Sequence, residues 1–214
     1  MTTNSPQPEL VIFDMDDVLC RYDLPTRLAR LAEFSGRDPD EIRAAIWDSG
    51  FEATSDAGAI DAATYLQGFG ERLGVALSRA QWVEARRAAM TPNPRMLALV
   101  QALQGTVRLA LLTNNGLLTR ETIGDLFPEV ARLFGEHLFV SAQFKTRKPD
   151  PTVYRLLTAR VGVAAEAALM IDDKRVNVAG AERAGLMAHH FDGIAGLLTR
   201  LAALGLRTDV PASS

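Results

Sequence analysis

The residues of this 214-residue chain that could do chemistry sit in four short stretches. Asp14, Asp16 and Asp17 crowd the middle of VIFDMDDVLC, residues 11–20. Thr113, Asn114 and Asn115 close LALLTNN, Lys148 lies in RKPDP, and Asp172 and Asp173 close LMIDD. A carboxylate is a usable nucleophile toward phosphorus, and a second carboxyl two residues on can hand a proton to a leaving alkoxide. Two acidic clusters on one edge repel strongly unless a cation lies between them. Hard oxygen donors without His or Cys fit Mg²⁺. A hydroxyl beside backbone N–H groups suits phosphate oxygens. A buried lysine among carboxylates offsets their charge.

Each stretch taken alone has a plainer explanation. A DxD can merely turn the chain, and Asp172 or Asp173 can cap the helix that follows. Thr-Asn-Asn is an ordinary turn, and a lysine before a proline-rich helix start is commonly solvated. The specific signal is their joint order: DxD, then Thr, then Lys-Pro, then a paired Asp, each after or before a regular element.

Those elements alternate. ELVIFD (9–14), VRLALLTN (107–114), HLFVS (137–141), AALMID (167–172) and MAHHF (187–191) have the short apolar runs of buried strands. Helical patterns lie between and after them, in 94–105, in TRETIGDLFPEVARLFG with its break at Pro128, in 150–162, in DKRVNVAGAERAGL and in 193–205. Such alternation predicts a parallel sheet with right-handed crossovers and helices on both faces. Ligands of such sheets bind beyond the carboxyl ends of the strands, where all four stretches fall.

Residues 20 to 91 break the pattern. LPTRLARLAEFSG, PDEIRAAIWDSG, AIDAATYLQGFGERLG and SRAQWVEARRAAM read as helices with no strand between them, and TPNP (91–94) as the return linker. The expected organisation is an α/β core of residues 1–19 and 92–214 and an inserted helical unit of residues 20–91. Asp56–Gly58 reads as a turn, and VPASS as a frayed tail.

Composition narrows the function. Hydrophobic residues make up 48% and charged residues 23%, as in ordinary globular proteins, and the net charge is −3. There is no basic stripe with interleaved aromatics, so nucleic acid is not an expected partner. Arg79, Arg86 and Arg87 read as a solvated helix face. One cysteine, Cys20, excludes an intrachain disulfide and has no paired base. His137, His189 and His190 lack metal-ligand spacing. MTTNSPQPE has no signal-peptide pattern and no apolar run reaches membrane-span length, which makes the cytoplasm the expected location.

FDMDDVL, LLTNN, RKPDPTVY and MIDDKRVNVAGAERAGL together resemble the haloacid dehalogenase superfamily of hydrolases over nearly the whole chain. The resemblance implies a Rossmann-like core, with residues 20–91 as a small helical cap domain, and is finer toward bacterial sugar-phosphate phosphatases. It implies Asp14 as nucleophile and metal ligand, and Asp16 as general acid and base with its backbone carbonyl on the metal. Thr113 would bind the phosphoryl group, helped by the backbone near Asn114. Lys148 would orient Asp14. Asp172 and Asp173 would hold Mg²⁺. Asn177 stands where many relatives place an acid, and Asp17 where the usual residue is Gly. From the cap, Trp47 and Glu52 are the expected substrate contacts, with Phe51, Arg21 and Tyr22 as further candidates. The expected activity is hydrolysis of a small phosphorylated metabolite by a monomer or homodimer. A phosphomutase, a haloacid dehalogenase of the same fold and a phospho-receiver domain are the alternatives. The last lacks both the DxD after its first strand and the helical insertion.

Overall fold

The computed structural model describes residues 7–206 and Val210. Its sheet has five parallel strands in the order β5-β4-β1-β6-β7: β1 Leu10–Phe13, β4 Arg108–Thr113, β5 Leu138–Val140, β6 Ala168–Asp172 and β7 Met187–His190. Every residue of β1 is fully buried, as a central strand covered on both faces requires. Side chains alternate between the faces. Val11 and Phe13 join one apolar cluster with α6 Pro94–Leu103, α7 Leu117–Leu126, α8 Pro128–Phe134 and α11 Ile194–Ala203. Leu10 and Ile12 join the other with α9 Pro151–Val161 and α10 Arg175–Arg183. This is the doubly covered α/β arrangement that the alternating pattern predicts, with all five expected strands present.

Local signals set the boundaries. Asp150 accepts from Thr152 N and Pro151 opens α9, while left-handed Gly162 closes it. Pro128 separates α7 from α8 because it cannot donate into a continuing helix.

Between the first strand and α6 lie α1 Leu24–Ser35, α2 Pro39–Arg43, α3 Phe51–Asp56, α4 Ala62–Leu73 and α5 Arg79–Ala88. Three details differ from the sequence reading. A π-helical turn, Ala44–Asp48, follows α2 where one continuous helix is predicted. Two three-residue strands, β2 Cys20–Tyr22 and β3 Met90–Pro92, pair antiparallel where the sequence reads as free of strands, and the second takes in half of the expected linker TPNP. CRY and MTP carry no apolar run of the kind that marks the buried strands, the equally short LFV of β5 among them. The helical segment packs its own aromatic cluster. Phe51 stacks on Tyr65 at 5.4 Å, and Tyr65 meets Trp82 edge-on at 6.1 Å.

No helix among the described residues is long and apolar enough to cross a membrane. Most of the expected VPASS tail lies outside the described residues.

Candidate active site

Parallel pairing in register fixes where the chemistry collects. Phe13 pairs with Leu111 on one side and Ile171 on the other. The next residue out, Asp14, therefore stands beside the end of β6, where its backbone N donates to Ile171 O at 2.9 Å. Asp14, Asp172 and Asp173 each offer a carboxylate oxygen, and these oxygens all lie within 4.8 Å of one another. Residues 14 and 173, far apart in the chain, thus share one spot.

Lys148 ties the cluster together. Its side chain is 1% exposed, and Nζ lies 2.8 Å from Asp14 Oδ2 and 2.6 Å from Asp172 Oδ2. Burial alone would lower the lysine's pKa, but the two carboxylates beside it raise it instead. One ammonium does not satisfy both neighbours. Burial pushes the Asp14 carboxyl up to about 8, against the pull of Lys148 and with the push of Asp172. Burial raises Asp173 as well, and its Oδ1 is buried with no hydrogen-bond partner. Excess negative charge with an orphaned oxygen is the donor set a hard divalent cation fits.

The remaining residues hold these in place. Asp172 Oδ1 accepts from Lys174 N at 2.9 Å and from the Asn177 side-chain amide at 2.9 Å, and that amide also reaches Oδ2 at 3.1 Å. Asn177 thus steadies Asp172 with a neutral donor where an acid would have added charge. Asn114 accepts from Lys148 N at 2.9 Å and donates to Lys148 O at 2.8 Å. Its side chain is therefore a two-point clamp on the lysine's backbone. Thr113 is buried at the end of β4, its hydroxyl accepting from Asn115 Nδ2 at 2.8 Å, so that its own proton remains to donate.

Asp17 keeps the turn that a glycine would make. Its φ is +61°, in the left-handed region that Asp tolerates better than most side chains. Its Oδ1 accepts from Tyr22 N at 3.0 Å, which ties the turn to β2.

Asp16 points elsewhere. Its carboxylate is not in the group of three and meets Arg86 Nη2 at 2.9 Å. The metal role implied for Asp16 runs through its backbone carbonyl. Arg86 corrects the sequence reading: it is a buried residue, not part of a solvated face, whereas Arg79 and Arg87 are exposed and Arg79 pairs with Glu121. A signal was available, because Arg86 shares its helix face with Trp82, Ala85 and Ala89, all buried. Arg27 was missed too. It is buried among Trp47, Phe69 and Trp82, its guanidinium carbon 5.2, 5.8 and 5.2 Å from their ring centres.

Trp47 and Glu52 are engaged within the helical segment. Trp47 packs edge-on against Phe69 at 6.2 Å. Glu52 accepts from the Tyr65 hydroxyl and lies 3.5 Å from Arg27 Nη1, which also donates to the Tyr22 hydroxyl at 3.1 Å. Cys20 is buried, and burial raises its thiol far above the usual range, so it acts as a small apolar residue. His189 is held below its usual pKa by burial.

Known proteins carry the same frame. No curated protein matches the chain. A predicted HAD-like family hydrolase from Porphyromonas gingivalis superposes with a TM-score of 0.76 at 20% identity, covering 92% of this chain and 98% of that one. A HAD family enzyme from Bacteroides thetaiotaomicron superposes with a TM-score of 0.73 at 20% identity, covering 86% and 93%. That enzyme has been crystallised with magnesium, and with magnesium and inorganic phosphate. A 2-haloacid dehalogenase from Pseudomonas syringae pv. Tomato gives 0.62 at 21% identity, covering 86% of each chain. At these identities the likeness speaks to the fold. The family is carried by residues 8–185, which match the model of the haloacid dehalogenase-like hydrolases, and the chain belongs to that family.

Proposed function

We propose that this protein is a Mg²⁺-dependent phosphatase that hydrolyses a small phosphomonoester through an aspartyl-phosphate on Asp14, with sugar phosphates as the first substrates to try. The observation that carries the reading is the pair of carboxyls at the end of β1 with opposite surroundings. Asp14 is buried on Lys148, while Asp16 is free of the three-carboxylate group and faces the helical segment. A halide leaves without a proton, so halide displacement has no use for Asp16. An alkoxide leaving from phosphorus does need one.

Asp14, Asp172 and Asp173 would hold the cation, filling the place of the missing partner of Asp173 Oδ1. When bound, Mg²⁺ supplies positive charge against the oxygens of the transferring phosphoryl group. A carboxylate oxygen of Asp14 attacks phosphorus as the ester P–O bond breaks. Asp16 gives its proton to the departing oxygen, then takes one from the water that attacks the aspartyl-phosphate, releasing inorganic phosphate and restoring Asp14. Lys148 fixes the attacking carboxylate and offsets charge, and the Thr113 hydroxyl donates to a phosphoryl oxygen. Residues 20–91 serve as the cap domain over the core of 1–19 and 92–214, excluding water and meeting the leaving group. Trp47 and Glu52 shape that cap from within.

Hydrolysis of p-nitrophenyl phosphate with and without Mg²⁺ tests the reading, with D14N as control. Turnover should require the metal and vanish in D14N. Activity that survives both EDTA and D14N rejects it, and halide released from a 2-haloacid in place of phosphate would transfer the assignment to the dehalogenases.

A further inference from the structure

Arg86 has no evident reason to be buried. It lies in the last turn of α5 and is 3% exposed, on a face otherwise made by Trp82, Ala85 and Ala89. Its Nε is buried without a partner. Burying a guanidinium with an unused N–H is costly, and a buried ion pair returns little net stability. The pair it makes spans 70 residues and joins the helical segment to the proposed general acid, Nη2 to Asp16 Oδ2 at 2.9 Å. The ring of Tyr22 lies 5.0 Å from its guanidinium carbon and fixes it from the β2 side. Among the described residues Arg86 is the one cation on the Asp16 carboxylate. The other side-chain contact to that carboxylate is the weak one from Cys20 Sγ at 3.8 Å.

The segment has separate seating contacts on the core. Ser141 Oγ donates to Asp56 O at 2.7 Å, and Lys145 Nζ donates to Gly58 O at 2.6 Å. Gly58 has a φ of +69°, and a Cβ there would lie 2.2 Å from Ala142 O, so the backbones touch as closely as glycine permits. Arg86 reaches Asp16 from a segment seated in this way.

We propose that Arg86 is a positioning residue for Asp16, so that seating the helical segment and placing the acid are one event. The inference rests on the phosphatase reading above. Arg86 holds Oδ2, which leaves Oδ1 to carry the proton to the departing oxygen and, once that proton is given, to take one from the attacking water. When the segment lifts, Arg86 leaves with it, and the acid loses its fixed position.

Two measurements test this, each with R86Q and R86K. The first compares esters whose leaving groups differ in their need for a proton: p-nitrophenyl phosphate, whose phenolate leaves readily, and a simple alkyl phosphate. Misplacement of a catalytic group by about 1 Å can cost about 10²-fold. R86Q should therefore lose on the order of 10²-fold more kcat on the alkyl ester than on the aryl ester, with R86K recovering part of the difference. Equal losses on both esters would mean that Arg86 is merely structural, and would overturn the proposal. The second needs no turnover: hydrogen exchange of the α5 amides in wild type, D16N, R86Q and the double variant. Protection lost in the single variants should not add in the double variant, whereas additive losses overturn the pairing. A wild-type protein inactive on every ester defeats the phosphatase reading alone, and the exchange cycle then decides whether the pair holds the segment down.

Discussion

At the scale of single residues, the site is an arrangement of charge that is uncomfortable without a guest. Lys148 bridges two buried carboxylates and leaves a third unpaired. Replacing it by Met keeps the bulk and removes the cation. K148M should destabilise the metal-free protein by about 3–5 kcal/mol, the usual cost of stripping one partner from a buried pair, measured by urea unfolding. An unchanged midpoint would mean that the carboxylates had protonated at no cost. Residue types and their order in the chain made Asp14, Asp16, Thr113, Lys148 and the Asp172–Asp173 pair legible before any coordinates. What stayed hidden was pairing. Arg86 lies on a helix face whose burial could be read, but neither it nor Arg27 shows its partner, because a one-dimensional string does not say which charged side chain is paired on another element. The clamp of Asn114 on Lys148 was hidden for the same reason.

At the scale of elements, short backbone contacts hold the site loops. A Cβ on Gly180 would lie 2.3 Å from Pro149 O, so α10 can approach the loop carrying Lys148 only because residue 180 has no side chain. G180A should push that loop outward, costing about 1–3 kcal/mol in stability. Thermal denaturation and the Mg²⁺-dependent rate should both report it, since Lys148 moves with the loop. The five strands were readable because each falls in a short apolar run, LFV of β5 included, and the helices between them because their buried faces repeat. The hairpin of β2 and β3 and the π-turn at Ala44–Asp48 were not, because CRY and MTP are not apolar runs and a widened helical turn leaves no distinct repeat.

At the scale of the whole molecule, the acidic cluster should make folding depend on cation and pH together. Asp14 is raised from 3.8 to about 8 by burial, so in the absence of metal its contribution to stability is full below 3.8 and is lost as pH rises through about 8. Cation binding needs the ionised carboxylate and displaces that proton. The Mg²⁺-induced rise in Tm should therefore grow as pH climbs toward about 8, reaching about 2.7 kcal/mol of stabilisation at a hundredfold excess over Kd. Differential scanning fluorimetry across that range checks it, and D14N should flatten the dependence. A Mg²⁺ effect that shrinks with rising pH would place the cation elsewhere.

The paired strands at the neck carry one more implication. Cys20 faces Pro92 across the β2–β3 ribbon, so the chain departs from the sheet and comes back at neighbouring points. Everything from Arg21 to Thr91 thus hangs on two adjacent pins and is seated by a few contacts beyond the strand ends. A foreign stretch spliced between those pins, if it rebuilt the seats that Asp56, Gly58 and Arg86 now make on the loops beyond the strands, would ask nothing new of the five strands beneath.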